Sequence, residues 1–360
     1  MHFSPIWPTP DKNWNFDVSS LIVLIGEDLE LQYRLSQRSF PACISAAPVV
    51  ALQSYMRSYD FLLDVGNLSY SSPYGCKTAP LRNVRLENAI RTNKLLNDKE
   101  FNVYKVRPSS TKTSPTKKYD IILAAWTILT WILFGGILAF AILMPKTTWI
   151  GVANCAIFTG WSIIIRVIEY FSLRPATAIG TANLGGDDAI YILGRDNSAF
   201  VLKGTRGDIK AWTSRGLVYT SIIPDCEGLM KGLTRFISLL ALLFIFSTIP
   251  NAHTMDQLSF ILLNALGQIN VLVGQKINSR ICMAELEKEP PKEVASRTYV
   301  YANLIKEFKD VNQDNDWADI LDLVPKTKRW ATWRAEYSKD TSQDPKDLFN
   351  RISEGGILAA

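Results

Sequence analysis

Residues 121–144 run through 24 positions without one charged side chain. At about 1.5 Å rise per residue, a helix of that length reaches roughly 36 Å, enough to cross a hydrocarbon core of about 30 Å with some tilt. A surface helix of a soluble domain keeps a polar face, and this stretch has none. The first expectation is therefore a helix that folds in lipid.

Three more runs extend that reading. Residues 149–165 follow the short connection Pro145-Lys146-Thr147-Thr148 and continue past Arg166 and Glu169 to Phe171. Residues 236–249 are apolar but short, and reach spanning length only if Lys231 and Arg235 snorkel. After the turn Pro250-Asn251-Ala252-His253, residues 258–273 return, carrying Asn264, Gln268 and Asn270. The expected fold is a mainly α membrane protein with four transmembrane helices as two hairpins. A small α+β cytosolic module lies between them and a helical segment follows. For the second pair, a buried helical hairpin of a soluble domain is the alternative.

An arginine at mid-bilayer costs at least about 2.5–3.5 kcal/mol on insertion scales. Arg166 is thus expected to snorkel at the boundary, with Glu169 one turn along as its partner, an interfacial ion pair. Asn264 and Gln268 share a helical face, and amides in lipid find partners on neighbouring helices. We read these polar residues as interhelical glue before reading them as a substrate path. Gly135 with Ala139, and Gly151 with Cys155 and Thr159, have the spacing that lets helix backbones approach.

Basic residues decide the orientation. Lys117 and Lys118 precede the first run, Arg174 follows the second, Lys231 and Arg235 precede the third, and Lys276 and Arg280 follow the fourth. The two turns hold one basic residue, Lys146. By the positive-inside rule both termini and the central segment are expected in the cytosol, in a multi-pass topology.

Composition agrees with a chain only partly in lipid: mean hydropathy is +0.06 and 20% of residues are charged. A net charge of +5 is too modest to point to nucleic acid and suits a face near anionic lipid. The five cysteines (43, 76, 155, 226, 282) contain no Cys-x-x-Cys pair, so neither a disulfide framework nor a zinc site is expected. His2 and His253 are the only histidines, and no cofactor or metal is expected.

The expected organisation is an N-terminal cytosolic region (1–106), a linker (107–118) rich in Ser, Thr, Pro and Lys, a first hairpin (119–172), a ββαβ-like module (173–230), a second hairpin (231–276) and a helical C-terminal region (277–360). With Pro5, Pro8 and Pro10 and no continuous apolar h-region, the N-terminus is not expected to be a signal peptide. Residues 21–25 read as a buried strand, and 47–64 and 81–102 as helical. In the module, 189–193 and 199–202 read as paired strands about the turn 194–197. Thr205 with Asp208 resembles a capping box, the helix ends at Gly216, and 217–222 would add a third strand.

Asp187 and Asp188 follow the glycine pair Gly185-Gly186 and could hold a metal on a phosphate. A second acidic motif is missing, as is a Gly-Lys-Ser/Thr signature, so a solvated loop is the stronger reading. With Arg195 and Asp196 they are the residues to test if the chain is an enzyme. Beyond Pro290-Pro291, residues 293–311 read as an amphipathic helix. Short helices follow at 317–323, around Trp330, Trp333 and Tyr337, and after Asp344-Pro345, with the aromatics packing rather than caging a ligand.

The segment Ile192-Leu193-Gly194-Arg195-Asp196-Asn197-Ser198-Ala199-Phe200-Val201-Leu202, with Trp212-Thr213-Ser214-Arg215-Gly216, resembles polytopic integral membrane proteins of filamentous fungi to which no activity is assigned. Arg297-Thr298-Tyr299-Val300-Tyr301-Ala302, Asp316-Trp317, Leu323-Val324-Pro325 and Trp330-Ala331-Thr332-Trp333 extend the resemblance over roughly the second half of the chain. It implies a membrane location and a fungal source, and no chemistry. The leading functional expectation is a non-catalytic anchor or accessory protein in the lipid bilayer whose cytosolic parts bind a protein partner. The alternatives are a membrane-bound enzyme acting on a lipid-soluble substrate, such as one of fungal secondary metabolism, and a homo-oligomeric transporter or channel.

Overall fold

The computed structural model describes residues 30, 33, 40, 68–97, 99–107, 116–144, 147–175, 185–195, 197–219, 227–311 and 317–357. The expected strand at 21–25, the expected helix at 47–64 and Asp196 lie outside them. In chain order the elements are β1 (Ser69–Ser72), β2 (Lys77–Pro80), α1 (Val84–Thr92), β3 (Glu100–Val106), α2 (Lys117–Leu143), α3 (Trp149–Ser172), β4 (Leu173–Pro175), β5 (Asp187–Leu193), β6 (Ala199–Thr205), α4 (Arg206–Ser214), β7 (Leu217–Tyr219), α5 (Glu227–Thr248), α6 (Thr254–Ala284), β8 (Leu286–Lys288), β9 (Lys292–Glu293), α7 (Arg297–Glu307), α8 (Trp317–Ile320), α9 (Lys328–Lys339) and α10 (Pro345–Ile357). The chain is mostly helical. It divides into a helical unit (Met1–Asp64, Pro115–Ala176, Gly216–Ile281) and a sheet unit (Val65–Ser114, Thr177–Arg215, Cys282–Ala360). The expected N-terminal region 1–106 is thus shared between both units.

In the helical unit, α2, α3, α5 and α6 are long and apolar enough to cross a membrane. The third and fourth are longer than the apolar runs alone suggested, because α5 begins before Lys231 and α6 continues to Ala284. Cys155, Phe158 and Ile165 of α3 pack with Leu242 and Ile245 of α5 and Phe260 and Leu263 of α6. The rings of Phe158 and Phe260 meet edge to face at 5.6 Å. The stripe Gly151, Cys155 and Thr159 is buried as its spacing predicts.

Gly135 and Ala139 differ: both are exposed, and nothing lies within 4 Å of a Cβ built at Gly135. Helix α2 is buried only along a narrow line through Leu123, Thr130 and Ala141, and its small-residue pair faces away from that line. Strand β7, expected to complete the central module, pairs instead with β4 in a two-stranded antiparallel ribbon.

The sheet unit holds seven strands in the order β2-β1-β5-β6-β3-β8, with β9 also on β3. Among the described residues only β3 and β6 run parallel, which a long crossover permits. Alternation along the strands builds two apolar faces. Phe101, Val103, Tyr191 and Val201 face α7, α8, α9 and α10, whereas Tyr104, Ile190, Phe200 and Leu202 face α1 and α4. The missing part of the module's core therefore comes from residues 100–106 and from the C-terminal helices. Residues 100–102, read as the end of a helix, begin a strand, because Phe101, Val103 and Tyr104 have apolar surfaces to cover on both sides.

The aromatics pack as expected. Trp317 meets Tyr191 and Phe308, and Trp333 stacks on Tyr337 at 5.3 Å while donating its indole N–H to the Pro345 carbonyl at 2.9 Å. Helix α7 begins at Arg297, four residues later than the sequence suggested, because β9 takes Lys292 and Glu293 onto the sheet edge.

Candidate functional site

Where β3 and β6 end and β5 begins, a cavity of about 330 Å3 opens in the sheet unit. The parallel register sets Lys105 beside Lys203, and the antiparallel register sets Ala189 beside Lys203. Adjacent ammonium groups repel, and each has its own carboxylate. Lys105 pairs with Glu289 at 2.9 Å, and Lys203 pairs with Glu307 at the end of α7. The bond from Lys105 holds the Glu289 carboxyl below its ordinary value, and Glu289 raises the Lys105 ammonium in turn. Lys292 lies 3.9 Å from the second oxygen of Glu307.

Asp187 and Asp188 form the opposite wall. The Asp188 carboxylate accepts the Ala189 N–H at 2.8 Å and the Ser72 hydroxyl at 3.3 Å. Burial pushes its pKa up, against those two bonds and the nearby Arg206 and Lys77. Tyr74, in the turn between β1 and β2, also lines the cavity. Its phenol is raised first by burial, then by Asp187, Asp188 and Asp310. Neither Asp187 nor Asp188 has an ion-pair partner among the described residues. The glycines before them are structural: Gly186 has φ +105°, a conformation open to glycine, and its carbonyl accepts the Arg206 N–H at 3.0 Å.

Arg195 does not join this group. It sits in the turn at the far end of β5, and the strand from Asp187 to Leu193 spans about 20 Å at roughly 3.3 Å per residue. Asp187 and Asp188 thus stand apart from Arg195 along β5, and Asp196 lies outside the described residues. Among the described residues, no cluster of three or more His, Cys, Asp or Glu side chains could hold a metal ion.

The polar groups of the helical unit are placed differently from the sequence expectation. Arg166 does not snorkel: it is 1% exposed, pairs with the equally buried Glu30 at 2.6 Å and donates to the Ser162 hydroxyl at 3.2 Å. Helix α3 continues to Ser172, so Arg166 lies inside the packed helix, where a buried charge needs a partner. Glu169, also buried, lies one turn along. Asn264 donates to the Phe260 carbonyl of its own helix at 2.8 Å, and Gln268 is half-buried. Asn270 is the interhelical contact, accepting the Trp126 indole N–H of α2 at 2.8 Å.

Sequence reasoning passed over Asp256. Fully buried at the start of α6, it accepts the Thr148 N–H at 3.0 Å and the Thr148 hydroxyl at 2.7 Å, tying α6 to the N-cap of α3. A Cβ at Gly151 would lie 2.6 Å from its carboxylate, so glycine is required there. The available signal was an acidic residue in the first turn of a helix, where the macrodipole favours it. Glu30 and Tyr33 had no local signal. The Tyr33 ring and hydroxyl fill the space a Cβ on Gly274 would need. Set against family models, curated proteins and solved structures, the chain matches none.

Proposed function

We propose that the four helices form two membrane hairpins that hold the sheet unit at the cytosolic face, where it serves as a non-catalytic binding domain for a protein partner. One observation carries this reading. The sheet unit is a single fold built from Val65–Ser114, Thr177–Arg215 and Cys282–Ala360. Its stretches leave and rejoin the helices before α2, after α3, before α5 and after α6. A domain assembled from these stretches favours a single side of a membrane, with each intervening pair of helices crossing it an even number of times. The basic residues at those same four junctions support the cytosol as that side.

The accessory reading, rather than a channel, is supported by how the described polar groups of the bundle are engaged. Asp256 is bonded to Thr148, Asn270 to Trp126, and Ser238 to the Trp161 indole at 3.0 Å, all contacts that fix helices to one another.

Two measurements test it. Single cysteines replacing Asp187 and His253 should be labelled by a membrane-impermeant maleimide from opposite sides of intact microsomes. Labelling of both from the same side overturns the hairpins. Purification of the tagged chain in mild detergent should recover a stoichiometric partner, and recovery of the chain alone overturns the accessory role.

A further inference from the structure

The two helical layers of the sheet unit differ in charge. On one face, residues 82–94 and 206–215, which hold α1 and α4, contain seven basic side chains and two acidic ones. On the other, residues 297–311 and 317–357, which hold α7 to α10, contain ten basic and nine acidic. The first layer does not neutralise its own excess. Glu87 is buried and bonds Arg91 at 2.7 Å, and Asp208 accepts the Thr205 hydroxyl at 2.6 Å. Arg82, Lys94, Arg206, Lys210 and Arg215 are exposed and make no ion pair among the described residues. The Arg82 N–H donates to the Thr213 carbonyl at 2.9 Å, so α1 and α4 lie side by side and these cations share one layer. The same layer receives the end of α6. Met283, in its last turn, packs on the apolar core beneath α1 and α4. Glu285, the first residue after α6, accepts both guanidinium N–H groups of Arg85 at 2.6 and 3.2 Å, tying α1 to the point where that helix stops.

We propose that the α1–α4 layer docks on anionic lipid headgroups at the membrane surface where α6 ends. An anionic leaflet is the charge complement of five unmatched cations, and each basic residue near such a surface shifts the equilibrium about fivefold. The attraction fades within about 8 Å at physiological salt, so it acts only on a layer held close to the bilayer. The bond from Arg85 to Glu285 supplies that tether. An acidic protein would also match the charge, but nothing in the fold holds one beside α6, whereas headgroups are always there. The balanced layer of α7 to α10 is left for a protein partner. The inference rests on the membrane reading of the helices and not on which side of the membrane is the cytosol.

The test is lysine acetylation of the full chain in nanodiscs of phosphatidylcholine, alone or with phosphatidylserine, with rates read residue by residue by mass spectrometry. Phosphatidylserine should slow Lys94 and Lys210 about fivefold or more and leave the exposed Lys328 and Lys346 of the other layer unchanged. Salt at about 1 M, where the screening length is about 3 Å, should restore both rates. So should the combined change Arg82→Gln, Arg206→Gln and Arg215→Gln, with a thermal melt to show that this variant is folded. If it does not fold, the salt arm on the unaltered chain still decides. Unchanged rates at Lys94 and Lys210, equal slowing on both layers, or slowing that survives salt or the triple variant would each overturn the proposal. So would protection by a soluble glutamate-rich peptide in neutral nanodiscs with none from phosphatidylserine, which would assign the layer to a protein. Failure of the membrane reading looks different, because the chain would then not be recovered in nanodiscs at all.

Discussion

In the helical unit Ile121, Ile128, Ile132 and Leu243 face outward while Arg166, Asp256 and Asn270 are buried. In the sheet unit Phe101, Tyr191, Trp317 and Trp333 are buried, while the Lys105, Lys292 and Asp319 side chains face outward. The second pattern is what water imposes, with stabilisation of about 25 cal/mol per Å2 of apolar surface removed from it. The first is its inverse. So much contiguous apolar surface would not stay dispersed in water, and lipid is the medium that tolerates it. Inside lipid, burial of apolar groups no longer drives helices together, and close packing and hydrogen bonds between helices take over. The same kind of contact should therefore carry different weight in the two units, and the ion pairs Arg166–Glu30 and Lys105–Glu289 measure that difference.

The largest effect is expected from breaking the buried pair. Arg166→Met leaves the Glu30 carboxylate buried and should cost about 3–5 kcal/mol, read as a lowered unfolding midpoint in detergent. Glu30→Gln combined with Arg166→Met should recover most of that loss, because no charge is then stranded. A cost below about 1 kcal/mol for Arg166→Met would mean that water reaches this position, and the contrast between the units would fail there.

A smaller effect tests packing in the same unit. Gly151→Ala places a methyl 2.6 Å from the Asp256 carboxylate and should cost about 1–3 kcal/mol. The penalty should largely vanish when Asp256 is already alanine, since nothing is then left to displace. Strictly additive losses in the double variant would show that Asp256 does not sit over Gly151 in the folded protein.

How much of this was legible in the sequence follows from the range of the forces involved. The apolar helices and the Thr205 cap, whose hydroxyl accepts the Asp208 N–H at 3.2 Å, depend on neighbours within a few residues and could be read directly. The pairing of β3 with β6, about a hundred residues apart, leaves no local trace, and a helical reading ran past the start of β3. The sequence offered Glu169 to Arg166 because it is one turn away, whereas Glu30, which Arg166 bonds, lies 136 residues away and leaves no local trace. Gly135 and Ala139 misled in a different way. Their spacing reports a surface able to pack closely, and the folded chain leaves that surface outside. Of the candidate site, the Asp187–Asp188 pair was visible, whereas Tyr74, Lys105, Lys203 and Glu307 reach it only through strand register and the end of α7.

The smallest effect belongs to the exposed pair, and it has a definite direction with pH. The Glu289 carboxyl titrates below its ordinary value of 4.5 in the folded protein, mainly because Lys105 donates to it. Its contribution is therefore complete above the unfolded value and is lost as the pH falls through the depressed folded one. With the Lys105 and Glu289 side chains 55% and 32% exposed, solvent screening limits the pair to no more than about 1 kcal/mol. Glu289→Gln should lower the unfolding midpoint slightly at neutral pH and flatten the decline on the acid side. Salt sharpens the comparison with the buried pair. At 1 M ionic strength, where the screening length is about 3 Å, Glu289→Gln should become nearly neutral while the cost of Arg166→Met persists. If salt erased both differences alike, the two pairs would share one solvent, and the Arg166–Glu30 contact would have to lie in water.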